Sequence, residues 1–148
     1  NFVDVDTTPV KVDKLIVAAS YANGLYGVSS EDGSVKWHLK NEGFRTFAKA
    51  GHILYVPTGD GKLFAVNGKN GKVLWQRKLS NSTPSTPAVS QKYLLLSVGE
   101  SLLVVSRKNG QIISRISDSH GFNAMPFYMG GVLFAQANSG LIYALGVY

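Results

Sequence analysis

Three stretches of the chain, "GLYGVSSEDGSVKWHLK" from Gly24, "KLFAVNGKNGKVLWQRK" from Lys62 and "SLLVVSRKNGQIISRIS" from Ser101, fall into one register. The marker residues Tyr26, Phe64, Leu103 and Tyr143 recur 38, 39 and 40 positions apart. Seven residues after the first three markers stands a glycine (Gly33, Gly71, Gly110), and four further on come Trp37, Trp75 and Ser114. A period near 40 residues constrains the fold more than any other feature. One such unit cannot bury its own apolar face, so the units must stack or close radially.

Each unit reads as short strands. Apolar runs of strand length precede every marker, at Leu15 to Ala19, His52 to Pro57, Tyr93 to Val98 and Val132 to Ala137. They are rich in Val, Ile, Leu, Tyr and Phe and are bounded by Gly, Asn or Ser. The turns "EDGS", "KNGK" and "KNGQ" supply Asp-Gly or Asn-Gly pairs that tolerate positive φ in hairpins. A shorter segment with Pro9, Phe47, Pro87 or Pro126 adds one more strand to each unit. No window offers a helix, because the apolar spacing is two or continuous and glycine recurs too often.

The expected fold is therefore all-β, a β-propeller of four-stranded antiparallel blades in meander order, with four repeats in the chain at about 7–42, 43–82, 83–120 and 121–148. A solenoid or a sandwich is the alternative architecture. The tryptophans suit the propeller, since a flat indole can cover the seam between neighbouring blades and bury on the order of 200 Å². Trp37 and Trp75, with Gly33, Gly71 and Gly110, are the expected structural blade positions. Ser114 in the third Trp slot predicts a weaker or differently filled seam beside the third blade.

Composition excludes several function classes. The 148 residues include no cysteine, so there is no disulfide framework, thiolate metal site, cysteine nucleophile or cysteine-linked lipid. No run approaches the roughly 20 apolar residues of a membrane-spanning helix, and no signal segment opens the chain, which reads as a soluble mature protein with its export signal removed. The net charge is +6, but the fifteen Lys and Arg are scattered in twos, as in Arg77-Lys78 and Arg107-Lys108. A nucleic-acid reader concentrates its cations with aromatics in one groove, so these are read as a solvated surface and no nucleic-acid partner is expected.

The polar residues give no catalytic constellation. His38, His52 and His120 occupy different repeat positions, and none has a partner at ligand spacing, so no metal is expected. The turns "KNGK" and "GDGK" lack the G-x-x-x-x-G-K-[ST] pattern and the following helix of a phosphate-binding loop. The hydroxyls of "SNSTPST" suit a connection between blades, and no Ser/His/Asp grouping can be argued from their order.

The run from Phe64 to Trp75, aromatic-Ala-Val-x-x-x-x-Gly-Lys-x-x-Trp, resembles the pyrroloquinoline-quinone-type propeller repeat. Within that superfamily "DVDTTPV" at Asp4 to Val10, followed by "GLYGV" and "DGSVKW", is similar to the second half of the BamB-like lipoproteins of the outer-membrane β-barrel assembly machinery. The similarity continues through "TPSTPAV", "NGQIISRIS", "SHGFNAMPF" and "GLIYAL" and covers essentially the whole chain.

This resemblance implies half of an eight-bladed ring, a cofactor-free scaffold rather than an enzyme, placed at the periplasmic face of the outer membrane. It implies the periplasmic domains of BamA as partner, with Asp4 and Asp6 on the contacting surface, and membrane attachment only through a lipid anchor that this chain does not carry. Read from the residues alone, Asp4 and Asp6 precede Thr7-Thr8-Pro9, where carboxylates also accept backbone hydrogen bonds and shape turns. The alternative functions are a fragment of a quinone-dependent dehydrogenase and a generic extracytoplasmic ligand-binding propeller. The dehydrogenases of this superfamily use a calcium-type carboxylate site and a vicinal cysteine pair, whereas this chain has nine acidic residues without an evident cluster and no cysteine.

Four repeats of an eight-bladed type leave two apolar faces to cover, which a second copy of the chain or a missing N-terminal half would do. The last unit, "SGLIYALGVY", ends after its third strand, and an N-terminal segment is expected to supply the fourth. Asn1 precedes Pro9 by eight residues, whereas Trp75 precedes Pro87 by twelve, so "NFVDV" is expected to fill that strand only in part and an N-terminal stretch to have been lost.

Overall fold

The structure is a computed structural model, which describes residues 7–41 and 43–146. Four antiparallel sheets follow one another along the chain. The first holds β1 (Val10–Val12), β2 (Leu15–Ser20), β3 (Gly24–Ser29) and β4 (Val35–Leu39). The second holds β5 (Ala48–Ala50), β6 (Ile53–Pro57), β7 (Lys62–Asn67) and β8 (Val73–Lys78). The third holds β9 (Ala88–Val89), β10 (Tyr93–Val98), β11 (Ser101–Ser106) and β12 (Ile112–Ser117). The fourth holds β13 (Phe127–Met129), β14 (Val132–Gln136) and β15 (Ile142–Gly146). Within each sheet the strands pair in sequence order, a meander of local hairpins.

The segments flagged by Pro9, Phe47, Pro87 and Pro126 each lead directly into the short first strand of a sheet. A proline just before the strand costs no ladder hydrogen bond, because its missing N–H lies outside the pairing. The central strands carry near-continuous apolar runs because both of their faces are covered. In the second sheet Leu54, Val56, Phe64 and Val66 point to the first sheet, while Tyr55, Leu63 and Ala65 point to the third. Alternation with period two thus feeds two cores at once.

Among the described residues the core falls into three clusters, each straddling two consecutive sheets. Val17, Ala19, Leu25 and Trp37 meet Phe44, Leu54, Val56 and Phe64 at the first seam. Tyr55, Leu63 and Leu79 meet Leu94, Leu96, Leu103 and Val105 at the second. Leu95 and Leu102 meet Phe122, Leu133 and Ala135 at the third. Each fully buried Leu or Phe contributes about 1.5–3 kcal/mol, so the seams, rather than the edges of individual sheets, hold the molecule together.

The Asn-Gly and Asp-Gly hairpins differ from the sequence expectation in one respect. In the first sheet Ser29 N–H donates to Ser34 O at 2.8 Å and Gly33 N–H donates to Ser29 O at 3.0 Å, enclosing a four-residue loop. Only its last residue takes positive φ: Gly33 at 71°, Gly71 at 72° and Gly110 at 74°. Asp32, Asn70 and Asn109 instead use their side-chain oxygens to accept the N–H two residues on. The polar residue of each pair is therefore chosen for its side-chain acceptor, and the glycine for its backbone.

Two sheet faces lie outside the clusters. The first sheet presents half-buried Ile16, Tyr26 and Val28 away from the second. The fourth presents Phe127 stacked on Phe134 with ring centroids 5.0 Å apart, together with Met129 and Ile142, which are 65% and 71% exposed. Exposed apolar groups in such numbers on one face are uncommon on an isolated surface.

Candidate functional site

The connections between sheets and the β2–β3, β6–β7, β10–β11 and β14–β15 turns gather at one end of the molecule. Asp4 and Asp6 lie outside the described residues. Their neighbour Thr7 is buried, and its hydroxyl accepts the Ala19 N–H at 3.1 Å and donates to the Ala19 carbonyl at 3.4 Å. Thr7, the residue after Asp6, is thereby fixed to the last residues of β2, beside the β2–β3 turn.

Next to that anchor the turns are linked through their backbones. Gly43 N–H donates to Tyr21 O at 2.7 Å, and Gly59 N–H donates to Gly43 O at 2.8 Å. The Arg45 guanidinium lies 4.8 Å from the ring centroid of exposed Tyr21, a cation–π contact. A cleft of about 480 Å³ opens here, lined by Tyr21, Asn41, Gly43, Gly59, Asp60 and Lys62. The Asp60 carboxylate receives Lys62 Nζ at 2.6 Å and the Thr58 hydroxyl at 2.5 Å, and these two donors push its pKa down to about 2. At the third seam Asp118 accepts from His120 N–H at 2.9 Å, the Ser139 hydroxyl at 2.9 Å and the Tyr143 hydroxyl at 3.3 Å. The backbone donor of His120 acts most strongly, and together they hold the Asp118 carboxyl below its usual range. These carboxylates are acceptors that fix loops.

The repeat tryptophans work across the seams. Trp37 is 9% exposed, and its Nε1–H donates to the Gly68 carbonyl of the second sheet at 3.1 Å. Trp75 Nε1–H donates to the Arg107 carbonyl of the third at 2.9 Å. Gly71 and Gly110 lie against these rings: a Cβ at Gly71 would stand 2.6 Å from Trp37 Cε3, and one at Gly110 would stand 2.7 Å from Trp75 Cε3. Among the described residues Gly33 has nothing within 4 Å of the corresponding position. At Ser114 there is no indole, and a cleft of about 330 Å³ lies there, lined by Val104, Ile113, Ser114, Ile116, Leu133 and Leu145.

The three histidines are not brought together. His38 stacks on Tyr26 with centroids 3.9 Å apart and shares a hydrogen bond with Asn23 O at 2.7 Å, while His120 sits beside Ser119 and Asp118. Among the described residues no group of three or more His, Asp or Glu side chains could hold a metal ion. The hydroxyls of "SNSTPST" tie the β8–β9 connection to its neighbours, with Thr83 Oγ1 donating to Gly59 O at 2.8 Å and Thr86 Oγ1 to Thr46 O at 3.3 Å. Sequence reasoning missed the Tyr21–Arg45 pair and read Arg107 as part of a solvated surface. Arg107 is instead half-buried between the second and third sheets, held by the Tyr55 hydroxyl of β6 and the Ser90 and Gln91 carbonyls of the β9–β10 turn, partners distant in the sequence.

Four-stranded meanders joined through indoles of a repeated Gly-x-x-x-Trp turn define a β-propeller of pyrroloquinoline-quinone-like repeats. The chain belongs to the family described as outer membrane protein assembly factor BamB, whose sequence profile matches residues 2–147. It is 30% identical over 140 residues to the BamB of Shewanella oneidensis, covering 93% of this chain and 35% of that protein. It is also 30% identical over 145 residues to the BamB of Yersinia pestis, covering 95% and 37%. The crystal structure of BamB from Moraxella catarrhalis superposes with a TM-score of 0.75 at 22% identity over 95% of this chain and 43% of that one. The chain thus spans little more than a third of the length of these curated relatives.

Proposed function

We propose that this chain acts as a non-catalytic scaffold in outer-membrane protein assembly, at the periplasmic face of the membrane, where it holds the periplasmic domains of BamA and assists insertion of β-barrels. The observation that carries the reading is the family match from residue 2 to residue 147, which includes the Asp-Val-Asp-Thr-Thr-Pro segment. Asp4 and Asp6 are the proposed contacts. The Thr7 clamp supports that role by giving the segment a fixed point of departure beside the loop end. Replacing Asp4 and Asp6 together by Lys is expected to weaken capture of the BamA periplasmic domains at least tenfold, since like charges are then placed where opposite ones attracted. A pull-down in which the double variant retains those domains as well as the unaltered chain would overturn the assignment.

The four repeats, at about 7–42, 43–82, 83–120 and 121–148, are proposed to form half of an eight-bladed ring. Support comes from the register of the two faces outside the core clusters. Tyr26 and Val28 lie in the marker row that meets the preceding blade at each inner seam, and Phe134 and Ile142 lie in the row that meets the following one. A second copy related by a two-fold axis, or the other half of a longer chain, covers both faces with one geometry. Sedimentation equilibrium on the chain by itself is expected to give about twice the 15.9 kDa of one copy; a monomer at all concentrations would defeat self-pairing.

A further inference from the structure

The second seam departs from the repeat in one pair of residues. The position occupied by Tyr55, opposite the residue after the marker, is Val17 in the first sheet and Leu95 in the third. The position occupied by Arg107, four residues after the marker, is Ser30 in the first sheet and Gly68 in the second. At the first seam a Val and a Gly therefore suffice where the second seam has Tyr and Arg. The fold does not ask for this pair.

Tyr55 and Arg107 build a cleft. Arg107 Nε donates to the Tyr55 hydroxyl at 2.9 Å, and its Nη1 donates to Ser90 O at 2.7 Å and Gln91 O at 2.8 Å. The guanidinium carbon lies 5.5 Å from the Tyr55 ring centroid. Arg107 N–H also donates to Lys92 O at 3.0 Å, which draws the β9–β10 turn against the β11–β12 turn and sets Lys92 beside Lys108. The cleft has a volume of about 500 Å³ and is lined by Ile53, Tyr55, Lys92, Tyr93, Arg107 and Lys108, with Gln91 and Ser106 completing it. Three cations converge on it, and among the described residues no carboxylate lines it. Among the described residues none of the three has an ion-pair partner, whereas Lys14, Lys36, Lys62 and Lys69 all do.

We propose that this cleft binds an acidic, extended peptide segment of a protein partner, its carboxylate held between Lys92, Lys108 and the Nη2 group of Arg107, whose other donors are taken up by Tyr55, Ser90 and Gln91, and a neighbouring apolar side chain set against Ile53 and Tyr93. An arginine already fixed by three acceptors loses little side-chain entropy on taking a carboxylate. The apolar wall explains why a peptide fits better than free phosphate, which would leave that wall unused. A cleft sunk between two blades is reached by a single extended chain more readily than by the plane of a lipid headgroup layer. The site is separate from the acidic segment proposed above, at the end of the sheets that carries the β9–β10 and β11–β12 turns, and it has the opposite charge.

The test uses a fluorescein-labelled ten-residue peptide with three glutamates flanking a phenylalanine, a matched glutamine peptide, inorganic phosphate as competitor and vesicles of anionic phospholipid. The acidic peptide is expected to bind in low salt, to weaken as salt is raised and to bind at least tenfold more tightly than the glutamine peptide. The Lys92→Ala/Lys108→Ala double variant, which touches none of the Arg107 bonds, should lose at least tenfold in affinity with an unchanged circular dichroism spectrum. The control Lys36→Ala/Lys72→Ala, which removes equal charge elsewhere, should lose less than threefold. Arg107→Lys should weaken peptide binding as well, because the charge remains but the planar group that Tyr55, Ser90 and Gln91 hold in place does not. Equal binding of the glutamine peptide, an unaffected Lys92→Ala/Lys108→Ala variant, equal loss in the control, no peptide binding at all, or binding of phosphate or vesicles in its place would each overturn the proposal.

Discussion

Trp37→Ala should lower the unfolding free energy by about 3–5 kcal/mol, the range for truncating a buried aromatic ring. Two features place it at the upper end. Gly27, opposite Trp37 in the β3–β4 pair, leaves the space the indole fills, since a Cβ there would stand 2.2 Å from both Trp37 Cε2 and Nε1. Alanine would therefore leave an open void rather than one the neighbours can close. The Gly68 carbonyl would also lose its donor at the seam. Trp75 is less buried, and Trp75→Ala should cost about half as much. Ser114 shows the end point, a seam position with no indole and an open cleft. Urea titration followed by the fluorescence of Trp75 measures the effect of Trp37→Ala directly. A loss below about 1 kcal/mol would refute the seam role.

The sheets were legible in the sequence because every repeat restates the same local rule. A run of period two recurs in all four units, and a Gly in the left-handed region with an acceptor side chain ahead of it in three; both are short-range requirements, so the copies reinforce one another. The seam tryptophans were legible for a related reason: a position repeated at constant spacing must meet a constant environment. Arg107 was not. It sits in "SRKNGQ", where its neighbours Lys108 and Asn109 are exposed, and only the approach of Tyr55, 52 residues earlier, makes it a seam residue. Tyr55 itself hid in the continuous apolar run "HILYVP", which reveals burial but not which face a side chain takes. The same holds for Arg45 over Tyr21, a pairing across two turns, and for Asp118, whose donors His120, Ser139 and Tyr143 straddle a seam. Residues that break the repeat are invisible to an argument from the repeat, and they are the residues that build clefts here.

Gly71→Ala and Gly33→Ala should separate two costs that ordinary glycine substitutions mix. Both residues occupy the same turn position at almost the same φ, 72° and 71°. A side chain at such a φ costs about 1–2 kcal/mol, so Gly33→Ala, with nothing within 4 Å, should lose about that much in stability. Gly71→Ala adds a Cβ 2.6 Å from Cε3 and 2.9 Å from Cδ2 of Trp37, a ring held at its other edge by Gly68 and unable to retreat. Its total cost should reach about 3 kcal/mol or more, with the excess coming from overpacking. In a Trp37→Ala background that excess should vanish, giving a coupling of about 1–2 kcal/mol in the double-mutant cycle. Additive effects would mean that the ring yields and that the seam is looser than its geometry. Gly33 carries one more consequence, because it lies on the side of the first sheet proposed to meet another blade. If a second copy covers that side, Gly33→Ala should weaken self-association as well as the turn, and its cost will then depend on protein concentration while that of Gly71→Ala will not.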